Sequence, residues 1–478
     1  MTNHLYRFRS TQMLLGEKYQ ELERQEIYFC PPDKLNDPLE GFKDVFWRGD
    51  RALWSNLLSH YMLCLLETTG LVGMLGPEFK QDLCTHFVHQ TPADIPDAPI
   101  RGVYEKAVKK FLRHRAARDF VEELGKGTQA LRKDELVYFL RVLHPIAMVA
   151  VITSLRHLKI ELVRNLWELL KMTRKAGAQI KQAIQFQGQV GDASCALGTV
   201  HINTMVQLDL IHAVNNEIPT ELKGWMFLNR DFAEFYVKNL ERLIFPDWYA
   251  ACFVADPTNS SMWGVYGNGH SGICLKFKTR ESEEASHSLP LRRPTDLRGI
   301  EGLSNHDYRR CFDRIQYTAE FPEIDFFRSL GSLSIPKLSG FWYAAPDGGL
   351  SDIGADILSE KPEWRESYWN NFHVGFNTKS PEWAHEEEYR LILTSSLTSF
   401  DSIDERKLKY NFSDLSGLIF GMNTSFEDKL HVMRIIEGKC VAENRDDFEF
   451  FQAHYSHQKR KIEILPLRLL KIKQPANA

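Results

Sequence analysis

Several familiar kinds of site have no signature in this sequence. The eight cysteines include no C-x-x-C pair, and the chain contains no G-x-x-x-x-G-K-[ST], H-E-x-x-H or G-x-S-x-G motif. The first absence argues against a zinc ribbon and a thioredoxin-type site, and the others argue against P-loop, zincin-type and nucleophile-elbow chemistry. The long middle region shows no convincing repeat period, which argues against a repeat architecture.

Strong charge and long apolar segments are also missing. The net charge is −4 in 478 residues, so no global electrostatic attraction to nucleic acid or membrane is expected. The N-terminus lacks the apolar core of a signal peptide, and the most apolar run, residues 146–155, is too short to span a bilayer. With 43% hydrophobic and 26% charged residues, the composition is that of a soluble globular protein. We therefore expect a cytoplasmic location and reduced thiols.

The pattern of apolar residues divides the chain into three parts. Residues 5–9 (LYRFR) alternate and predict a strand, and residues 27–30 predict a second strand that Pro31-Pro32 ends. From about residue 50 to 240 the spacing is helical, and mixed patterns then resume. The sequence thus predicts an α+β protein with a mixed-sheet core built from both ends of the chain. The predicted parts are residues 1–49, a large helical insertion at 50–245, and residues 246–478.

Residues 262–277, MWGVYGNGHSGICLKF, combine a short helical spacing, a glycine-rich turn and an apolar strand. The string GNGHSG satisfies G-x-G-x-x-G, but the dinucleotide fingerprint needs a strand before it and a helix after it. Here the predicted order is reversed, which argues against a Rossmann site. Two interpretations remain: a binding loop that presents Trp263, Tyr266 and His270, or a glycine turn with a core tryptophan.

Four stretches contain residue types that a plain core would not use, namely residues 6–9, 36–40, 263–270 and 386–390. Three flank predicted strands and one lies within a strand, where sites are commonly built. In the second stretch, Asn36 and Asp37 precede Pro38 and favour a turn, because their side chains can bond the nearby backbone. We predict that Asn36, Asp37 and Glu40 cap or brace a cleft.

The stretch at 386–390 has the sequence EEEYR. In a strand, Glu386, Glu388 and Arg390 would share one face. Two carboxylates on one face raise each other's pKa, and a nearby arginine offsets this. The arrangement suits a general base or an anchor for a sugar hydroxyl. The alternative is an acidic, solvated start of a strand.

Acidic residues also allow a metal-dependent alternative. Asp37, Glu40, Glu386 and Glu388 are oxygen donors of the kind that magnesium prefers. No spacing between them supports a metal site specifically, so no metal ligand is assigned.

Together these stretches resemble the bacterial family called domain of unknown function 2971. The motifs that carry the resemblance are, in chain order, LYRFR, IYFCPPDKLNDPLEG, MWGVYGNGHSGICLKF, WAHEEEYRLIL and LSGLIFGM. Cys30 and Leu39 stand where the family usually has Ser and Phe. The resemblance covers roughly residues 1–48 and 250–440 and leaves the helical block unexplained.

This family in turn resembles the ADP-ribosyltransferase-type fold. In that fold a basic or His-bearing first strand, a Tyr- or Ser-bearing second strand and a Glu-bearing later strand surround NAD. The resemblance implies Arg7 or Arg9 as the basic residue of the first strand and Tyr28 as the tyrosine of the second. Glu386 or Glu388 would be the glutamate of the later strand. It is an analogy between patterns, and fold alone does not establish function.

The resemblance implies an NAD-dependent transferase or an NAD-consuming effector, with NAD as its substrate. The members of the domain of unknown function 2971 family look like accessory or phage-defence genes. This would suit a toxin-like effector with an inserted helical regulator. In that role Arg9 would hold a phosphate and Glu388 would position the ribose hydroxyl. Trp263 or Tyr266 would stack on the nicotinamide.

The residue assignments follow from this resemblance. The catalytic candidates are Glu386, Glu388 and Arg9, and the binding candidates are Tyr6, Arg7, Tyr28, Asn36, Asp37, Glu40, Trp263, Tyr266, His270 and Arg390. Two other functions stay open: a metal-dependent nuclease or phosphoesterase, and a non-catalytic module that binds a partner. We expect a small-molecule nucleotide as ligand, no membrane, and a homo-oligomer or a partner protein bound through the helical insertion.

Overall fold

The chain, described by a computed structural model, forms two compact units. The described residues are 3–84, 89–156, 166–190, 194–215, 223–281, 287–293, 308–359, 362–395, 400 and 402–470. The sheet unit comprises Met1–Phe42, Asp247–Phe321 and His373–Ala478, and the helical unit comprises Lys43–Pro246 and Pro322–Phe372. An α+β fold with a mixed sheet from both ends of the chain and a large helical insertion is confirmed.

The elements are numbered along the chain. The strands are β1 Asn3–Arg9, β2 Glu26–Tyr28, β3 Asp44–Trp47, β4 Leu131–Arg132, β5 Trp248–Val254, β6 Ile273–Thr279, β7 Ser288–Arg292, β8 Tyr308–Cys311, β9 Asp313–Arg314, β10 Gln316–Tyr317, β11 Glu323–Asp325, β12 Thr378–Lys379, β13 Glu388–Thr394, β14 Lys407–Tyr410, β15 Leu415–Phe420, β16 Glu449–Ser456 and β17 Lys461–Pro466. The α-helices are α1 Thr11–Leu15, α2 Glu21–Arg24, α3 Arg51–Leu75, α4 Ala98–Leu112, α5 Arg115–Leu124, α6 Lys133–Leu155, α7 Leu166–Val190, α8 Ser194–Asn215, α9 Lys223–Met226, α10 Phe232–Leu240, α11 Ser260–Val265, α12 Ile335–Lys337, α13 Asp352–Leu358, α14 Pro362–Asn377 and α15 Phe426–Ala442. Short 3-10 helices include Pro32–Lys34 and Pro381–Glu386, and Phe227–Asp231 and Leu338–Trp342 are π-helical.

The main sheet has eight strands in the order β17-β16-β15-β6-β1-β5-β13-β9. Strands β15 and β16 are parallel, while β1, β5, β6 and β13 pair antiparallel with their neighbours, so the sheet is mixed. Alternating side chains separate its two faces. Leu5 and Leu391 belong to one buried cluster, which also takes in Ile27 of β2, whereas Phe8 and Val254 belong to another.

The main sheet opens between β1 and β5. Strand β1 follows β6 from the pair Asn3–Thr279 to the pair Arg9–Ile273, and β5 follows β13 along its full length. Among the described residues, β1 and β5 are joined in register only at Tyr6–Val254. Further along β5, Ala250 pairs instead with Cys30, which comes from the segment after β2. The two strands therefore diverge towards Arg9 and leave a gap in which side chains from both can meet a ligand.

The helical unit has its own apolar core. On α4 the buried side chains include Val103, Tyr104, Ala107 and Phe111, as the 3.6-residue spacing predicts. Helices α3 and α6 are buried on most of their sides. By length and composition the segments Arg51–Glu78 and Lys133–Leu155 are apolar enough to cross a membrane, although 67% and 72% of their apolar windows are buried inside the protein. The sequence argument took residues 146–155 as too short to span a bilayer, but the helix that contains them is long enough. Its burial inside the protein accounts for its apolar character.

Residues 322–372 belong to the helical unit, although the sequence prediction assigned them to the second part of the sheet core. The reason is strand pairing and packing. Strand β11 runs parallel to β3, with Ile324 opposite Val45. The ring of Phe327 packs edge-on against Trp54 of α3, with centroids 5.5 Å apart. These contacts join residues more than 270 positions apart, which local spacing does not reveal.

Candidate active site

A cavity of about 270 Å³ in the sheet unit occupies the gap between β1 and β5. Ten of the thirteen candidate residues line it, namely Tyr6, Arg7, Arg9, Tyr28, Asn36, Glu40, Tyr266, Glu386, Glu388 and Arg390. The remaining candidates, Asp37, Trp263 and His270, do not line it. The structure therefore brings together residues from five separate segments of the chain.

One end of the cavity carries two arginines and one carboxylate. Arg9 donates from Nε to Oε2 of Glu21 at 2.7 Å and makes a second, bidentate contact through Nη2 to Oε1. Glu21 is only 6% exposed and lies on the short helix α2. Arg7 is 5% exposed and donates from Nη2 to the carbonyl oxygen of Tyr28 at 2.9 Å. Arg7, Arg9 and Glu21 together carry a surplus of one positive charge, and Lys34, which also lines the cavity, pairs with Asp33 at 3.8 Å.

The guanidinium of Arg7 is the least satisfied group in the cavity wall. Its Nη1 is buried and has no hydrogen-bond partner among the described residues, and Arg7 forms no ion pair with a carboxylate there. Its guanidinium carbon lies 5.4 Å from the ring centroid of Phe253. Burial and the neighbouring charge of Arg9 lower the pKa of Arg7 to about 10, so it remains protonated at neutral pH. A buried, charged donor without a partner is a group that an anionic ligand would stabilise.

At the carboxylate end, Lys379 holds two glutamates together. Its Nζ donates to Oε2 of Glu386 at 2.6 Å and to Oε2 of Glu388 at 3.2 Å. All three side chains are at most 3% exposed. Burial opposes the charged form of Lys379, but the two glutamates outweigh it and raise its pKa.

The geometry of these glutamates differs from the sequence prediction. Glu386, Glu388 and Arg390 were expected on one face of a strand, but Glu386 is the last residue of the 3-10 helix Pro381–Glu386 and β13 begins at Glu388. Between them Glu387 has a left-handed backbone, with φ of +46°. This turn, rather than strand alternation, allows both carboxylates to reach Lys379. The solvated alternative does not apply to Glu386 and Glu388, because both are buried.

Arg390 completes the buried network. It is fully buried and donates to both carboxylate oxygens of Glu388, from Nε at 2.7 Å and from Nη2 at 3.0 Å. It also contacts both oxygens of Glu40, at 2.5 Å and 3.0 Å. Burial would raise the pKa of Glu388, but the charges and hydrogen bonds of Arg390 and Lys379 lower it to about 2. Glu40 has a raised pKa because burial outweighs its pairing with Arg390.

Counting formal charges, this end has three carboxylates against two cations. The surplus is therefore one negative charge, opposite in sign to the surplus at the end formed by Arg7, Arg9 and Glu21. One cavity thus presents an excess positive charge on one side and an excess negative charge on the other.

Tyr266 lies at the carboxylate end and comes from the glycine turn. Its hydroxyl donates to Oε1 of Glu386 at 2.7 Å, and burial together with Glu386 raises its pKa. The tyrosine follows helix α11, and strand β6 begins at Ile273 after the turn. The helix-turn-strand order agrees with the argument against a Rossmann fingerprint. Within the turn, Asn268, Gly269 and His270 all have positive φ, which favours glycine and asparagine over branched residues.

Three candidate residues have structural positions instead. Trp263 is fully buried, packs edge-on against Phe8 at 4.8 Å and donates from Nε1 to the carbonyl of Pro257. Its core position leaves Tyr266, of the two residues proposed to stack on the nicotinamide, as the one that lines the cavity. His270 lies in the turn, where its backbone N–H donates to the carbonyl of Trp263.

Asp37 braces the cavity from outside its lining. One of its carboxylate oxygens accepts from the backbone N–H of Leu39, and the other accepts from both the N–H and the hydroxyl of Ser380. The first bond is the local turn that the N-D-P sequence predicts. The second fastens this turn next to Lys379, while Asn36 and Glu40 line the cavity.

Three residues of the candidate site were missed by the sequence argument. Lys379 and Glu21 pair with the candidate residues across the fold, and Cys252 of β5 lines the cavity beside Glu388. Nothing in the local sequence around Lys379 or Glu21 distinguishes it from a surface charge. Only the alternation of β5, which places Cys252 opposite Arg390, contained a signal that could have been used.

The arrangement gives no support to the metal-dependent alternative. Glu40, Glu386 and Glu388 are bound by arginine or lysine, and Asp37 is bound by Ser380. Within the described ranges, no group of three or more His, Cys, Asp or Glu side chains is placed to hold a metal ion.

Comparison with known proteins gives a family for part of the chain. Residues 262–391 match the family model described as "Protein of unknown function (DUF2971)", which confirms the family resemblance over this segment. The matched segment contains Tyr266, Lys379, Glu386, Glu388 and Arg390. No curated protein and no solved structure matches the chain.

Proposed function

We propose that the cavity between β1 and β5 binds NAD and that the protein breaks its nicotinamide–ribose bond, as a transferase or an NAD-consuming effector. The observation that carries the proposal is the pair of opposite charge surpluses on one cavity. NAD in its oxidised form has a cationic nicotinamide ring and an anionic pyrophosphate, so its charges complement both ends. Arg7, whose Nη1 has no partner in the described part of the chain, would meet a phosphate, and Arg9 would assist it.

The size of the cavity supports partial enclosure of such a ligand. Its volume of about 270 Å³ lies just below the usual range for small-molecule sites, roughly 300–1,000 Å³. It would enclose the nicotinamide-ribosyl end and leave the adenosine end outside. Tyr266, at the carboxylate end, would pack against the nicotinamide ring.

The proposed reaction needs little from the protein beyond charge and position. The C–N bond to nicotinamide breaks, both electrons leave with the neutral nicotinamide, and positive charge develops on the ribose. Water or an acceptor nucleophile then forms the new bond at that carbon and loses a proton. Fixed carboxylates stabilise such a transition state electrostatically.

Hydrogen-bond capacity favours Glu386 over Glu388 as the group that would meet the ribose hydroxyl. Oε1 of Glu386 accepts one hydrogen bond, from Tyr266, and Oε2 accepts one, from Lys379. Both oxygens of Glu388 are engaged by Arg390, and one of them also by Lys379. A carboxylate has about four acceptor positions, so Glu386 has more left for a substrate. Glu388, which stays ionised because its pKa is lowered, would stabilise the positive charge of the transition state through its electrostatic field.

The test is NAD turnover by purified protein, measured as released nicotinamide. Glu386→Gln keeps the size of the side chain and removes its charge. We expect roughly a hundredfold loss of rate, because one electrostatic term of this kind is typically worth about 3 kcal/mol. Glu449→Gln, at an exposed glutamate that pairs with Lys276, is the matched control and should keep full rate.

Two results would count against the proposal. One is a wild-type protein that neither binds NAD nor releases nicotinamide with water or with added protein acceptors. The other is full activity in a folded Glu386→Gln variant. In the first case, a non-catalytic role in which the buried network braces the fold would be the better explanation. The toxin-like effector role and a cytoplasmic location are further parts of the proposal, tested by NAD depletion and growth arrest on expression.

A further inference from the structure

A second cavity, of about 430 Å³, lies within the helical unit. Strands β3 and β11 form one side and helix α14 the other, so its wall comes from segments that the proposed NAD chemistry does not use. Its volume falls within the range of small-molecule sites. The cavity combines an aromatic surface, a carboxylate oxygen that has no partner among the described residues, and an exposed arginine. Its lining also includes Glu323 and Asp356, which pair with Arg132 and Arg328, and the exposed Glu363.

The aromatic surface is fixed in orientation. Trp364 and Tyr368 stack with ring centroids 5.4 Å apart and planes 24° apart. Trp364 donates from Nε1 to the carbonyl of Arg328 at 2.6 Å, and the hydroxyl of Tyr368 donates to the carbonyl of Ile244 at 2.8 Å. Because both polar atoms are satisfied, the rings are held in place without needing a ligand. Trp364 remains half-buried, so part of its surface faces the cavity.

The carboxylate of Asp325 is incompletely satisfied. Its Oδ1 accepts from the backbone N–H of Arg328, whereas its Oδ2 is buried and has no hydrogen-bond partner among the described residues. Burial raises the pKa of Asp325 to about 6, because desolvation outweighs the backbone N–H groups of Arg328 and Phe327 and the charges of Arg328 and Arg48. A buried acceptor without a donor is destabilising unless a ligand or water supplies one.

Arg48 marks the open side of the cavity. It is exposed, and its guanidinium carbon lies 5.5 Å from the ring centroid of Phe46. By contrast, Arg328 already pairs with Asp356 at 2.9 Å. Arg48 is therefore the cation placed to meet an anionic group that extends from the cavity towards solvent.

We infer that this cavity binds a guanine nucleotide, with the base stacked on Trp364, its N–H edge against Asp325 and its phosphate near Arg48. Guanine presents two adjacent donors, the ring N–H and the exocyclic amino group, which match a carboxylate. Stacking of bases on aromatic side chains is common in nucleotide-binding proteins.

The same contacts explain why adenine would be rejected. At the corresponding edge, adenine places a ring nitrogen acceptor, which would face the carboxylate oxygen and leave it without a donor. Sites built around a buried polar group discriminate strongly against ligands that leave that group unpaired. Hypoxanthine keeps the ring N–H but lacks the amino group, so it should bind with intermediate affinity.

The test is a titration of the full-length protein with GMP, IMP and AMP, followed by calorimetry and by tryptophan fluorescence. We expect the affinity order GMP, IMP, AMP, with at least tenfold between the first and the last. Asp325→Asn should lower GMP affinity at least tenfold, and Trp364→Leu should abolish the fluorescence change. Glu366→Gln, on the exposed side of α14, is the control and should bind as wild type does.

Asp325→Asn keeps the volume and an acceptor for the N–H of Arg328, so we expect it to fold; a thermal melt checks this. The inference is overturned if AMP binds as tightly as GMP, if GMP binding survives Asp325→Asn, or if no nucleotide binds at millimolar concentration. The Glu386→Gln variant should bind GMP normally, which keeps this test separate from that of NAD turnover.

Discussion

The two units bury polar side chains in opposite ways. In the sheet unit, Arg390 and Lys379 are buried with Glu388 as an ionic network beside a cavity. In the helical unit, Tyr61 and His144 are buried as neutral groups, with the tyrosine hydroxyl 2.7 Å from Nδ1 of the histidine. Burial lowers the pKa of His144 to about 4, so the ring is uncharged at neutral pH.

The contrast between ionic and neutral burial indicates which buried polar groups serve the stability of the fold and which serve a ligand. Burying ions costs several kcal/mol of desolvation for each, and a well-packed apolar core is often as stable without them. The hydrogen bond between neutral Tyr61 and neutral His144 avoids the desolvation cost of an ion, although Nε2 of His144 is buried without a hydrogen-bond partner among the described residues. A buried network of five ionised or ionisable groups next to a cavity is therefore better explained by the needs of a ligand than by the needs of the fold.

The largest expected effect comes from breaking the ionic network at Arg390. Arg390→Met keeps an unbranched apolar stem but leaves Glu40 and Glu388 without their shared cation. Removal of one partner from a buried ion pair typically costs about 3–5 kcal/mol, because a charge is left uncompensated. The measurement is the free energy of unfolding in denaturant, with Lys126→Met, at the exposed pair with Glu123, as control.

A variant as stable as wild type would show that the network contributes little to folding. The same reasoning applies to Glu388→Gln, which should also lower the free energy of unfolding. Glu388 is held by Arg390 and Lys379, so loss of its charge removes attraction rather than repulsion.

Acid should destabilise the two units in different pH ranges. The pKa of His144 is lowered from 6.5 to about 4, so the unfolded chain binds the proton first and stability is lost as pH falls from about 6.5 towards 4. The pKa of Glu388 is lowered from 4.5 to about 2, so its contribution is present above 4.5 and is lost between 4.5 and 2. Each shift corresponds to roughly 3 kcal/mol.

Hydrogen exchange resolved by peptide can follow both ranges in one protein. Protection of α3 and α6 should fall first, and protection of β5 and β13 should persist until the pH drops below about 4.5. Simultaneous loss in both units would contradict the separation, as would earlier loss in the sheet unit. Exchange rates must be corrected for their own pH dependence before protection is compared.

What the sequence could predict is local, and what it missed depends on distant partners. Alternation in residues 5–9 and the N-D-P turn predicted the strand and the turn that line the cavity. The bond from Ser380 to Asp37 spans 343 positions, and no spacing rule reaches that far. The left-handed backbone at Glu387 was also hidden, since a glutamate gives no sign of it. Trp263 illustrates the converse: an aromatic residue in a glycine-rich turn can serve the core.

The smallest expected effect concerns the neutral pair in the helical unit. Tyr61→Phe removes only the hydroxyl and leaves Nδ1 of His144 without that contact, while the ring keeps its packing against Tyr236 and Phe232. Loss of one buried neutral hydrogen bond costs about 1–2 kcal/mol, well below the value expected for Arg390→Met. Unfolding in denaturant measures it, with Tyr455→Phe, at a tyrosine that is 40% exposed, as control. If Tyr61→Phe proves as damaging as Arg390→Met, neutral and ionic burial are equivalent here, and the argument that the ionic network serves a ligand loses its basis.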